Sequence, residues 1–141
     1  EIEALLHQDQ YQTIDINLRK KDSFKEAESA DVLFAVEDYT IATSMKNIAL
    51  QALEIKKPLF TSYTSAVNEG AFASCGVNYH KCGRKAGKFA LKLLKKHAYT
   101  HELGIVHMPN NDIAINQNVG NKLNIKIPSQ LVQYTQQAEE E

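Results

Sequence analysis

Hydrophobic residues fall along this chain in short blocks whose period switches between two and about 3.6. Tyr11 to Leu18 alternates, with Ile14, Ile16 and Leu18 on one face, and reads as a strand. Asp22 and Ser23 offer a cap for a short helix over Phe24 to Glu28. Asp31-Val32-Leu33-Phe34-Ala35-Val36 is a nearly continuous apolar run, which suits a parallel strand covered on both faces. The next block is helical: Ile41, Ala42, Met45, Ile48, Ala49, Ala52 and Leu53 follow the 3.6 period. Asp38 or Thr40 caps its start. Lys56 and Lys57 suit its C-terminal dipole, and Pro58 stops it.

Pro58 to Thr61 and the small residues of Gly70 to Val77 predict two more strands. Tyr79 to Lys96 predicts a second long helix, with Cys82, Ala86, Phe89, Ala90, Leu93 and Leu94 on one face. Ile105 to Met108 and Ile113 to Ile115 read as short strands. Val119 to Leu123 reads as a short helix closed by Asn124, a residue tolerant of a left-handed cap. The Gln/Glu-rich end, 133–141, reads as a disordered tail. Strand and helix alternate almost throughout, which predicts an α/β domain: a parallel-sheet sandwich with helices on both faces.

Length and composition sharpen this. A chain of 141 residues with 43% hydrophobic and 23% charged residues forms one domain with a real core. Net charge is −1, with Lys and Arg spread out apart from short clusters such as Arg84, Lys85 and Lys88. No dense basic face for a phosphate backbone is expected, so nucleic acid is not an expected partner. No apolar run nears the roughly 20 residues that span a bilayer. Glu1 to Leu6 has helical spacing and no start signal, so the sequence reads as a fragment beginning inside a helix.

In open α/β sheets, ligands bind beyond the C-terminal strand ends. Two stretches are assigned there: 36–40 after the buried run, with Asp38, Tyr39 and Thr40, and 62–71 after the next strand, with Ser62, Tyr63, Glu69, Gly70 and Ala71. A carboxylate beside an aromatic ring suits a ligand ammonium group. Asp38 also reads as a plain N-cap and Glu69 as a solvated loop charge.

Catalytic patterns are weak. Gly83 to Lys88 has three residues between its glycines where a phosphate loop needs four, and Phe89 stands where Ser or Thr would bind magnesium. There is no G-x-S-x-G elbow. His97, His101 and His107 read as exposed histidines, and Cys75 with His80 lacks a third, orienting group. Cys75 and Cys82 read as small, partly buried residues whose pairing spacing does not settle. The expectation is therefore no enzyme, no metal and no cofactor.

Several segments together resemble one family. Ala30 to Phe34 precedes Glu37-Asp38-Tyr39-Thr40; then come Lys57-Pro58-Leu59-Phe60 and Glu69-Gly70-Ala71-Phe72-Ala73-Ser74. Gly76-Val77-Asn78-Tyr79-His80-Lys81-Cys82-Gly83 is the most telling, followed by Ile115-Asn116 and Leu123-Asn124-Ile125-Lys126-Ile127-Pro128. In this order, over roughly residues 30 to 132, they resemble the substrate-binding proteins of ABC transporters of the tryptophan- and tyrosine-binding type. Tyr39 departs from the family's Asn, Asn78 from Asp, and Asn124 from Gly.

The resemblance implies the C-terminal lobe of a type I periplasmic binding protein, spanning 1–141, without the N-terminal lobe or this lobe's first strand. It implies capture of a small ligand between two lobes, an amino acid with aromatic ones favoured, and delivery to an ABC permease. By matched position the ligand-binding residues are Asp38, Tyr39, Thr40, Ser62, Tyr63, Glu69, Gly70 and Ala71. Asp38 would pair with an amine, Thr40 would hold polar groups, and Tyr39 or Tyr63 would stack. It also implies a periplasmic or extracellular, lipid-anchored setting. A sheet edge left open by the absent strand could pair two copies. The competing reading is an α/β enzyme or an effector-sensing domain of similar topology.

Overall fold

A computed structural model describes residues 12–18, 23–36, 38–96, 99–107 and 112–136. In chain order the elements are α1 (Ser23–Ala27), β1 (Leu33–Ala35), α2 (Tyr39–Glu54), β2 (Leu59–Tyr63) and a 3₁₀ turn (Thr64–Val67). They continue with β3 (Ala73–Val77), α3 (Tyr79–Lys96), a 3₁₀ turn (Thr100–Glu102), β4 (Asp112–Asn116), α4 (Gln117–Lys122), a 3₁₀ turn (Ser129–Tyr134) and β5 (Thr135–Gln136). The five strands form one sheet in the order β1-β2-β3-β4-β5. The α/β class stands, and the first three strands are parallel as expected. β4 departs from an all-parallel sheet: it runs antiparallel to β3, and β5 pairs parallel with β4.

The register lines up a row of small side chains. Ala35 pairs with Thr61, Thr61 with Ser74, and Ser74 with Ala114. All four are buried. Paired residues share a sheet face, so this row makes one face shallow enough for α2 and the Thr64–Val67 turn to lie close. Met45, Ile48, Ala49 and Ala52 of α2 and Ala66 of the turn join Leu33, Leu59 and Tyr63 in this core. On the opposite face Phe60, Ala73 and Ile115 are covered from the C-terminal side by Val119, Leu123, Ile127 and Leu131. Phe60 meets Phe72 edge to face at 5.5 Å.

That second face is covered only in part. On the β1 side Val32, Phe34 and Val36 are 55%, 54% and 51% exposed. The expected burial of the 31–36 run on both faces is therefore not met: only Leu33 and Ala35 turn inward. The strand expected over 11–18 does not form among 12–18, where the chain makes no ladder, although Ile16 and Leu18 pack on the first core. Among the described residues β1 pairs with β2 alone, so 12–18 has not added to its open edge. Residues 105–107 are likewise no strand; Ile105 is 89% exposed and has nothing to pack on. Of the tail expected from 133, residues 133–136 are ordered by the 3₁₀ turn and by pairing with β4; the rest lies outside the described residues.

The helix ends follow the residues that stop them. After α2, Lys56 adopts φ +56°, and the amides of Lys56 and Lys57 return to the carbonyls of Leu53 and Ala52. After α4, Asn124 adopts the same φ, and the amides of Asn124 and Ile125 return to Asn121 and Gly120. Both are Schellman closures, and Asn124 fills the left-handed position expected of it.

One glycine is fixed by a close approach. A Cβ on Gly76 would lie 1.7 Å from the Ser62 carbonyl oxygen, where the β2–β3 register shifts. Gly83, by contrast, faces open space on α3. Gly76→Ala is expected to cost more than about 3 kcal/mol, beyond ordinary overpacking, whereas Gly83→Ala is expected to gain about 0.5–1 kcal/mol of helix propensity. Urea denaturation of the two variants separates them.

Candidate functional site

The strands' directions decide which candidates can meet. β1, β2 and β3 end at one edge of the lobe, with Ala35, Tyr63 and Val77. β4 runs the other way, and its Asp112 pairs with Gly76, so Asp112 begins at that same edge. Asp38, Tyr39 and Thr40 follow β1 and open α2 there. Thr64 and Ser65 follow β2. Asn78 and Tyr79 follow β3 and open α3. The Thr64 hydroxyl donates to the Val77 carbonyl at 3.5 Å, which ties two of these ends together.

Asp38 performs its capping role: the Ile41 amide donates to Oδ1 at 2.7 Å, and the aspartate backbone is extended. The residue is nevertheless exposed, as is Tyr39, at 86%. Thr40 is half-buried. Asn78 caps α3 in the same way, accepting from the Lys81 amide at 3.1 Å. Tyr79 beside it is 57% exposed. Lys81 forms an ion pair with Asp112, joining the start of α3 to the start of β4. The lysine is more than half exposed, so this pair contributes less than about 1 kcal/mol.

The far end of the second expected stretch does not lie here. Between two parallel neighbours the chain must return to its starting edge, and the Thr64–Val67 turn carries it back. The Phe72 amide donates to the carbonyl of Leu59, the first residue of β2. Glu69, Gly70 and Ala71 therefore sit towards the opposite edge, roughly 13 Å away along a strand rising about 3.3 Å per residue. Gly70, at φ +109°, lies against α2, where a Cβ would be 3.1 Å from Ala49 Cβ and well along the helix from Asp38. Ala71 is wholly buried, and Tyr63 is a core residue at 3% exposure. Of the two aromatic platforms expected, Tyr39 is presented and Tyr63 is not. Ser62 is half-buried with its carbonyl against Gly76.

The edge that holds Asp38, Tyr39 and Thr40 thus gains Thr64, Ser65, Asn78, Tyr79, Lys81 and Asp112, of which only Thr64 and Ser65 fall inside a stretch assigned there from the sequence. For Asn78 and Tyr79 the signal was available: they follow a small-residue strand and precede a helix, the same context as Asp38. Asp112 needed the antiparallel direction of β4.

The far edge is held by Asn116. This buried side chain donates to the Val67 carbonyl at 3.0 Å and accepts from the Val119 amide at 3.0 Å. It caps α4 and fixes the turn that follows β2. A groove of about 540 Å³ lies between α1 and α2, lined by Phe24, Glu28, Asn47 and Gln51 among others; it includes Thr40 and none of the other candidates. Among the described residues no three His, Cys, Asp or Glu side chains gather as a metal site.

Comparison with known proteins fits this arrangement. The family model described as ABC transporter substrate binding protein matches residues 15–139. The chain belongs to this family. It is 33% identical over 87 residues to a tyrosine-binding protein of Clostridioides difficile (strain R20291), a match covering 62% of this chain and 25% of that protein. Among solved structures it is similar to a conserved domain protein from Vibrio cholerae, with a TM-score of 0.67, 28% identity, and coverage of 79% of this chain and 38% of that one. A Streptococcus pneumoniae ABC domain in complex with L-Trp shares the fold with a TM-score of 0.68 at 24% identity, covering 79% of this chain and 38% of that one. So does the ligand-free, open form of a Clostridium difficile substrate-binding protein with adhesive properties, with a TM-score of 0.69 at 24% identity over 91% of this chain and 45% of that one. The chain spans less than half the length of each of these proteins. Its family members are substrate-binding proteins, not enzymes.

Asn116→Ala is expected to destabilise the chain by about 2–4 kcal/mol, because it removes a helix cap and strands the buried Val67 carbonyl. Thermal unfolding followed by circular dichroism measures the loss.

Proposed function

We propose that this chain is one lobe of a solute-binding protein that captures an amino acid, with aromatic ones favoured, and delivers it to an ABC permease. Membership of the substrate-binding family carries the reading, and the edge around Asp38 gives it a chemistry. The ligand's ammonium group pairs with the exposed Asp38 carboxylate, whose Oδ1 already accepts one amide. The start of α2 and the Thr40 hydroxyl take polar groups of the ligand. Tyr39 supplies an exposed ring for an apolar or aromatic side chain. Thr64, Ser65 and Tyr79 extend the same surface.

A single lobe presents an open surface, so tight capture follows from a second lobe closing over it by hinge motion. The setting is periplasmic or extracellular, beside the membrane that holds the permease. No helix among the described residues is long and apolar enough to cross a membrane. The open edge of β1 is where another strand would add, and in the isolated chain two copies would pair there.

The test uses the two-lobed protein that carries this sequence, screened by thermal shift against the twenty amino acids. An amino acid present at a hundredfold excess over its Kd stabilises the protein by about 2.7 kcal/mol. Asp38→Ala is expected to weaken that ligand's binding at least about tenfold, worth roughly 1.4 kcal/mol. Loss of the N-cap costs about 1 kcal/mol of stability separately. No shift with any amino acid, or full affinity in Asp38→Ala, would overturn the proposal.

A further inference from the structure

The helix α3 is chemically unlike the rest of the chain. Across Tyr79–Lys96 it carries Lys81, Arg84, Lys85, Lys88, Lys92, Lys95 and Lys96, and no Asp or Glu. That is seven of the chain's 16 Lys and Arg, and none of its 17 acids. At about 100° per residue the six from Lys81 to Lys95 fall within less than one third of the circumference. In sequence they looked like scattered clusters; the helix gathers them into one face. Their partners are few. Lys81 pairs with Asp112, and Lys85 lies 5.6 Å from the Phe89 ring centre. Arg84, Lys88, Lys92 and Lys95 have no carboxylate partner among the described residues, and all four are exposed.

Apolar groups adjoin this face and are open to solvent. Half-buried Cys82, Phe89 and Leu93 mark the side turned towards the protein. Leu91 and Leu94 are 51% and 76% exposed. A Cβ at Gly83 or Gly87 would meet nothing within 4 Å, so that flank is bare. Arg84, Lys88, Leu91 and Lys95 succeed one another at spacings of four, three and four, which makes one mixed stripe along the helix.

We propose that α3 is a docking face for an anionic phospholipid surface. Unpaired cations beside exposed leucines match the two components of such a surface: negative headgroups and the apolar layer just beneath them. The acids concentrated elsewhere in the chain repel the same surface, so the lobe approaches it by this helix. A nucleic acid would use the cations but leave Leu91 and Leu94 in water. This inference goes beyond ligand capture: lipid binding by α3 requires no amino acid and no occupied site.

The experiment is co-sedimentation of the full 141-residue chain with vesicles of phosphatidylcholine alone or with 30% phosphatidylglycerol. Binding is expected only to the anionic vesicles. It is expected to collapse at 1 M salt, where the screening length falls to about 3 Å. Lys88→Gln/Lys92→Gln/Lys95→Gln, which leaves the Lys81–Asp112 ion pair in place, is expected to bind about a hundredfold more weakly, at roughly fivefold per cation. Leu91→Ser/Leu94→Ser is expected to reduce binding at unchanged charge. An unaltered circular dichroism melt shows that each variant is folded. Three results would each overturn the proposal: no binding to anionic vesicles at low salt, binding unchanged in the triple variant, or salt-sensitive binding to duplex DNA without binding to vesicles.

Discussion

The lobe depends on how closely its helical layer can approach its sheet. The row Ala35, Thr61, Ser74 and Ala114 runs across four strands in register and is buried at every step. A larger side chain at any of these positions would lift α2 and the Thr64–Val67 turn off the sheet. Gly76 belongs to the same constraint, since its lack of a Cβ lets β3 close on the Ser62 carbonyl. The polar members of the row are tolerated unequally. Thr61 donates to the Tyr63 carbonyl at 3.0 Å, whereas the Ser74 hydroxyl has no partner among the described residues. Burying that hydroxyl costs about 1–3 kcal/mol, and its small volume offsets part of that by letting the layer close.

This constraint also explains what the sequence could and could not tell. α2 and α3 were legible because long periodic helices carry their own signal, with Asp38 and Pro58 marking the limits of α2. Asn124 was legible because few residues accept a left-handed cap. The run at 31–36 misled because hydrophobicity records a tendency to be covered, not the presence of a cover. Val32, Phe34 and Val36 are as apolar as Leu33, yet remain half exposed. The segments at 12–18 and 105–107 misled similarly: a strand is a pairing, and their alternation says nothing of a neighbour.

The candidate site divided along the same line. Asp38, Tyr39 and Thr40 were legible because a cap after an apolar strand marks a C-terminal strand end. Glu69, Gly70 and Ala71 were placed beside them by proximity in sequence to Tyr63. The connection between two adjacent parallel strands has to cross the whole sheet, so its first and last residues lie at opposite edges. Thr64 and Ser65 are at the edge that holds Asp38 for the reason that Glu69 is not. Gly70 and Ala71 are then explained by packing: one accepts φ +109° against Ala49, and the other fills the core. Both are structural reasons for small residues that a motif comparison assigns to ligand contact.

The edge proposed to take the ligand is also where the fold's own needs and recognition would overlap. Asp38 and Asn78 each start a long helix at the end of a parallel strand, and each spends one side-chain oxygen on an amide of its own helix. For Asn78 the remaining amide group is neutral. For Asp38 the capping bond uses one carboxylate oxygen and leaves the negative charge in place at an exposed position. An aspartate can therefore hold the helix and still attract a cationic group, whereas an asparagine at 38 would keep the cap and lose that attraction. The difference between these two caps, more than the presence of either, is what puts the β1 end at the centre of the proposed site and the β3 end on its flank.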